Sequence, residues 1–178
     1  MGEAAGASEL IFKTIQAISR EWTRRDPPTQ LTPVFLEYTR SGSIEEFLEN
    51  LTTEKIEVDA GAAPLVFQVA ARGDPVAMGL IRWAGCELGE LACAVIRQLE
   101  FEQFAFDVVL IGSMFDGGPL LIEPMRQTIH ALAPGARLVR LTVPPVIGAV
   151  VLGMQQAGLA AFDRRDVLIQ SARKILPG

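Results

Sequence analysis

The segment best suited to bind a ligand is a small-residue turn that follows a run of apolar residues. Residues 107–111 (Asp-Val-Val-Leu-Ile) have the length and composition of a strand buried on both faces of a parallel sheet. Gly112 and Ser113 follow this strand, and a helix is predicted to begin at Pro119. Open α/β folds bind ligands beyond the carboxyl ends of their strands, where small residues let a nucleotide approach the backbone. The same pattern also suits a tight turn that binds nothing, so both interpretations stay open.

Other patterns that carry chemistry are absent or have a simpler explanation. The chain has no GxxxxGK[ST] loop, no GxGxxG after a strand, no CxxC pair and no HExxH motif. His130 is the only histidine, which excludes a histidine metal cluster and a Ser-His-Asp triad within one chain. We expect His130 to be a surface or boundary residue, and Asp74, before Pro75, to cap a helix rather than act as a base. No catalytic residue and no metal ligand is assigned.

Composition excludes several classes of protein. The 178 residues are 49% hydrophobic and 21% charged, which excludes disorder. The net charge of -5 argues against nucleic acid and anionic membranes as partners. Cys86 and Cys93 lie about 10.5 Å apart along one predicted helix, too far for a disulfide there, and we expect both to be reduced, as in a cytoplasmic protein.

Neither a signal peptide nor a membrane span is predicted. The first residues lack the basic segment of a signal peptide. Residues 141–162 carry no charge, but Pro144-Pro145 and Gln155-Gln156 limit the helical apolar part to roughly fifteen residues, below the ~20 that span a bilayer. We therefore predict a cytoplasmic protein with no membrane partner.

Helical patterns fill the first hundred residues, and strands alternate with helices after them. Periodicity and capping signals predict helices over 8–25, 34–39, 44–51, 60–71, 76–99, 119–132, 146–157 and 166–175, and strands over 107–111 and 137–141. The helix over 76–99 is rich in small residues, so we place it at the centre. We predict one domain, 1–178, with a helical part (1–100) and a parallel α/β part (101–178). Two strands are too few for a stable doubly wound sheet.

Six short motifs resemble, in order and spacing, the C-terminal half of N-acetylglucosamine kinases and the related BadF/BadG-type ATPases. They are GEAAGA at 2–7, PPTQLT at 27–32, AAP at 62–64, GDPVA at 73–77, VLIGS at 109–113 and PVIGA at 145–149. The similarity covers nearly the whole chain. It implies a truncated RNase-H-like lobe of the actin-like, sugar-kinase and heat-shock ATPase superfamily, helix-rich with a small parallel sheet.

The resemblance also implies a ligand and a set of missing parts. Gly112, Ser113 and Met114 would flank the adenosine of ATP, bound with Mg²⁺, and Ser113 replaces the second glycine of the family's Gly-Gly pair. The phosphate loop and catalytic aspartate of the family's first lobe have no counterpart here, nor do the opening strands of its second lobe. The family's Gly-Asp-Glu-Gly-Ser-Gly loop is altered, with Glu3, Ala4 and Ala5 in place of Asp, Glu and Gly.

Two functions are therefore predicted as alternatives. In the first, the chain is the C-terminal, adenosine-side lobe of an ATP-dependent sugar (N-acetylglucosamine-like) kinase or BadF/BadG-type ATPase. This lobe is not catalytic on its own, and its partner is an N-terminal lobe. In the second, it is a non-enzymatic dimerisation or interaction module derived from such a lobe, and its partner is a second copy bound through an exposed sheet edge or apolar helices.

Overall fold

The chain is helix-rich, with one small parallel sheet of two strands in the part that is described. The computed structural model describes residues 5–160 and 162–175. The helices are α1 Ala7–Trp22, α2 Leu31–Thr39, α3 Ile44–Thr52, α4 Ala63–Ala71, α5 Pro75–Gln98, α6 Pro119–Leu132, α7 Val146–Gln156 and α8 Arg165–Ile175; the strands are β1 Phe106–Leu110 and β2 Ala136–Arg140. Short 3-10 turns span Ala60–Ala62, Ser113–Gly117 and Phe162–Arg164. The prediction of a helix-rich α/β chain with a small parallel sheet is confirmed.

The chain forms two compact units. Unit 1 consists of Met1–Phe106 and Gly112–Arg137, and unit 2 consists of Asp107–Ile111 and Leu138–Gly178. Helix α6 packs closely against α5 and therefore belongs to the same unit as the helices that precede it.

Helix α5 packs against α1, α4 and α6, as its small residues predict. Gly85 and Gly89 are buried in its interior, although glycine there lowers helix stability by about 1 kcal/mol relative to alanine. A Cβ atom on Gly85 would lie 2.5 Å from the carbonyl oxygen of Leu121, and one on Gly89 would lie 2.7 Å from Cβ of Thr128. The glycines are therefore needed for the close approach of α5 and α6.

Two helix starts have the caps that their sequences predict. The Ser43 hydroxyl accepts a hydrogen bond from Glu46 N at 3.2 Å, so α3 begins after Ser43. The reciprocal half of the capping box is displaced by one residue, because Glu46 Oε2 accepts from Gly42 N rather than from Ser43 N. Asp74 caps α5 by accepting from Ala77 N at 2.9 Å.

Strand β1 is not buried on both faces, so that prediction is wrong. Its residues alternate between exposed and more buried positions; Val109 is 50% exposed, whereas Leu110 is buried. Ile111, predicted to belong to the strand, lies beyond its end and is 55% exposed. An apolar run predicts two buried faces only where a second layer covers the sheet, and no described element buries the face of Val109.

Unit 2 has a small core. Ile147 and Val151 of α7 are buried and pack against half-buried side chains that include Leu168 and Ile169 of α8. Within residues 5–160 and 162–175, no helix is both long enough and apolar enough to cross a membrane, in agreement with the interruption predicted for residues 141–162.

Both cysteines are free, as predicted. Cys93 is buried on α5, and its Sγ lies 3.7 Å from the carbonyl oxygen of Thr128, to which it donates. Burial, and then the charge of Glu90, raise the pKa of the Cys93 thiol. The thiol is therefore held in its neutral, less reactive form.

Candidate functional site

A pocket of about 400 Å³ lies in unit 1, beside the turn predicted to bind a ligand. Its wall combines the start of α1, the first turns of α4 with the 3-10 turn before them, and the Ser113–Gly117 turn. The lining residues are Ala7, Ala60, Gly61, Ala63, Pro64, Phe67, Gln68, Ser113, Met114, Asp116 and Gly117.

One wall of the pocket is a single face of α4. Pro64, Phe67 and Gln68 are three and four residues apart, so they lie together on one side of the helix. The backbone before α4 is held by Asp59, whose Oδ1 accepts from Gly61 N at 2.8 Å. Pro64 and the ring of Phe67 give this wall a flat apolar surface.

The opposite wall depends on glycine. Gly112 (φ +119°) and Gly118 (φ +64°, ψ -141°) bracket the turn in backbone conformations that other residues avoid. Between them, the Phe115 N–H donates to the Gly112 carbonyl at 3.3 Å. Gly117 lies directly against the Phe67 ring, because a Cβ atom there would be only 2.1 Å from Cε1 of Phe67.

The polar groups of the pocket suit a neutral ligand with hydrogen-bonding edges. Gln68, Ser113 and Asp116 carry the polar side chains of the lining, and Asp116 carries its one formal charge. The side chains of Gln68 and Ser113 make no hydrogen bond to any described residue, so an amide and a hydroxyl are available to a ligand. The described lining contains no Lys or Arg.

The lining fits part of ATP and does not fit Mg²⁺. Flat apolar walls with a few polar groups suit a base and a ribose, whereas the described lining provides no positive charge for the phosphates. Magnesium needs several oxygen ligands, and across residues 5–160 and 162–175 no three His, Cys, Asp or Glu side chains come together to hold a metal ion.

The predicted site residues have different positions. Ser113 and Met114 line the pocket, while Gly112 begins the turn and is not part of the lining. His130 lies at the boundary, half-buried on α6, with Nε2 2.9 Å from the Ala136 carbonyl oxygen. Gln68 was not predicted as a site residue, because no sequence pattern places this face of α4 opposite the turn.

Asp74 is the buried carboxylate of unit 1, and its bonding is structural. Beyond capping α5, its Oδ1 accepts from the Thr29 hydroxyl at 2.9 Å and its Oδ2 from Gln30 N at 2.8 Å. Burial raises the pKa of Asp74, but the hydrogen bonds from Ala77, Gln30 and Thr29 outweigh it, so the net shift is downward. A carboxylate stabilised in its charged form and fully hydrogen-bonded is a poor general base.

No protein-family model matches the chain, and no curated protein sequence is significantly similar to it. The proposed function therefore depends on the residues and on the pocket.

Proposed function

We propose that this chain is a nucleoside-binding lobe with an RNase-H-like fold. It is the C-terminal, adenosine-side lobe either of an ATP-dependent sugar kinase, whose substrate resembles N-acetylglucosamine, or of a BadF/BadG-type ATPase. The observation that carries the proposal is the pocket in which Ser113 and Met114, two of the three residues predicted to flank adenosine, meet the flat apolar face of α4. Its one carboxylate and two unpartnered polar side chains match the hydroxyls of a ribose and the edge of a base.

The backbone at Ala5 also supports the family resemblance. The resemblance aligns Ala5 with a glycine of the family's Gly-Asp-Glu-Gly-Ser-Gly loop, and Ala5 has φ +75°, a conformation typical of glycine. Ala5 is fully buried in the core of unit 1. Glu3 and Ala4, the other altered positions of that loop, lie outside the described residues.

The role of such a lobe is to bind and orient, rather than to react. Phosphoryl transfer depends on Mg²⁺ and on cationic groups that neutralise the phosphates and position the acceptor. In this proposal the pocket binds the base and the ribose. The phosphates are bound by another lobe, because the described lining contains no Lys or Arg. No residue of this chain is therefore proposed to be catalytic.

The affinity ratio of two ligands tests this proposal. Adenosine and ATP should bind by calorimetry with dissociation constants within roughly tenfold of each other, about 1.4 kcal/mol, because the phosphates find no cation in the pocket. Ser113→Trp, which fills the pocket, should abolish both, and Ser171→Trp, at an exposed serine of unit 2, should change neither. No binding of either ligand would overturn the proposal, and much tighter binding of ATP would require a phosphate site elsewhere.

A rate measurement tests the statement that the lobe is not catalytic on its own. A coupled assay of ADP release, on protein free of contaminating kinases, should detect no turnover of ATP with or without N-acetylglucosamine. The physical reason is that no group in the described chain places the γ-phosphate and its metal. Turnover at an enzymatic rate would contradict it.

A second candidate function, the dimerisation or interaction module, is favoured by one observation in unit 2. Val109, Ile111 and Val139 are 41 to 55% exposed along the sheet, and Leu152 of α7 is 62% exposed. Exposed apolar surface of this kind favours association, most simply as a two-fold homodimer. Light scattering over a hundredfold dilution should then show a dimer. A monomer of 19.3 kDa throughout would exclude the homodimer.

A further inference from the structure

We infer that Gln68 determines which base the pocket accepts, by a paired hydrogen bond to the 6-amino edge of adenine. The inference depends on the proposed function, because it requires that the pocket binds a nucleoside. It adds a specificity-determining residue that lies outside the predicted Gly112–Met114 turn.

The position of Gln68 places it beside a surface on which a base can stack. It lies on the same face of α4 as Phe67 and Pro64, the flat apolar residues against which a planar ring can stack. Gln68 lines this pocket and also borders the neighbouring groove beside Tyr38 and Arg72, and its side chain has no hydrogen-bond partner among the described residues. A base packed on this face therefore has an unused amide beside its edge.

The amide of Gln68 has the donor and acceptor that the 6-amino edge of adenine requires. A glutamine side chain presents one carbonyl acceptor beside an NH₂ donor. Adenine presents the matching pair, because its N6 amino group donates and the adjacent ring nitrogen accepts; glutamine pairs with adenine in this way in other proteins. Of the other polar side chains in the lining, the Asp116 carboxylate only accepts, and the Ser113 hydroxyl donates and accepts through one oxygen atom, so it does not offer a separate donor and acceptor side by side. Gln68 is the lining side chain that can make both bonds.

The test compares two nucleosides that differ only in the 6-amino group. Wild-type protein should bind adenosine about five- to tenfold more tightly than purine riboside, which lacks that group, as expected for the loss of one hydrogen bond. Gln68→Leu should bind the two nucleosides equally. Gln68→Glu should weaken adenosine binding by about tenfold, because the carboxylate keeps the acceptor but cannot donate to the ring nitrogen.

A matched control is available on the same unit. Gln103 is exposed and lies outside the pocket, so Gln103→Leu and Gln103→Glu should leave both affinities unchanged. Gln68 is itself exposed, so melting temperatures should confirm that all four variants fold.

The outcomes separate this inference from the proposed function. If wild-type protein binds adenosine and purine riboside equally, or if the preference survives in Gln68→Leu, the role of Gln68 is refuted while nucleoside binding stands. If neither nucleoside binds to the wild-type protein, both are refuted. A preference that Gln68→Leu removes and the Gln103 variants retain supports both.

Discussion

The two units of the chain contrast in how much of their apolar surface is buried. In unit 1, side chains such as Phe35, Phe47 and Ile81 are at most 1% exposed and belong to one core shared by several helices. In unit 2, the described buried hydrophobic residues are Leu110, Ile147 and Val151, while Leu152 on the same helix is 62% exposed. Unit 1 therefore has the more completely buried core, and unit 2 has apolar surface that association could bury.

This contrast also accounts for where each candidate function is found. The pocket lies entirely in unit 1, with walls made by residues whose helices are anchored in its core. The apolar surface that favours an interaction module lies in unit 2.

The largest expected effect is a core truncation in unit 1. Phe35 is fully buried, so Phe35→Ala should lower the free energy of unfolding by about 3–5 kcal/mol, through lost burial and the cavity left behind. Val151→Ala in unit 2 should lower it by about 1–2 kcal/mol at most. Hydrogen exchange would assign each loss to its unit. Equal losses would show that unit 2 is as well packed as unit 1.

A pair of glycines on α5 gives the next effect, with opposite signs. Gly85→Ala should destabilise unit 1 by about 1–3 kcal/mol, because the new Cβ meets the backbone of α6 at 2.5 Å. Gly79→Ala has nothing within 4 Å and should stabilise the same helix by up to about 1 kcal/mol. Equilibrium denaturation measures both. A stabilising Gly85→Ala would mean that α5 and α6 do not pack closely there.

Removing the charge of Asp74 should have a smaller effect that depends on pH. Asp74→Asn should cost about 1–2 kcal/mol at pH 7, since the charged acceptor strengthens the bonds from Ala77, Gln30 and Thr29. The folded pKa of Asp74 is lowered, so its stabilisation is present above its unfolded value, about 4, and is lost as the pH falls through the folded value.

Unfolding measurements across pH 2 to 7 would test this linkage. The difference between the wild type and Asp74→Asn should be constant near neutral pH and shrink below about pH 4. Glu54→Gln, which removes the charge of an exposed glutamate, is the control variant. A difference that persists unchanged in acid would refute the electrostatic role of Asp74.

The smallest expected effect is a gain in unit 2. Gly153 of α7 is exposed, with nothing within 4 Å of a Cβ placed there, so Gly153→Ala should stabilise α7 by at most about 1 kcal/mol. Hydrogen exchange of the α7 amides would detect it. If Gly153→Ala instead weakened a dimer in light scattering, this face of α7 would be the contact surface.

Local structure could be predicted from the sequence because it depends on neighbours in the chain. The limits of α6 were predicted to the residue, and Asp74 and Ser43 cap the helices that their spacing indicates. The strands are each displaced by one residue from their predicted limits. The small residues of α5 predicted its central position because glycine in a helix needs close packing to offset its cost.

Burial and the pocket depended on contacts between distant segments. The run at residues 107–111 predicts an apolar strand, but whether its second face is covered depends on other elements, and Val109 is exposed. Gln68 and Ser113 are separated by 44 intervening residues and share a pocket only because the turn meets the face of α4. By itself, the sequence determined the positions of most helices, the caps at Ser43 and Asp74 and the glycine turn, since these depend on local backbone preferences and spacing. The start of α2 was predicted at residue 34 and lies at Leu31. The tertiary structure alone decided which side chains share the pocket and which apolar faces remain exposed, because both depend on the packing of segments far apart in the chain.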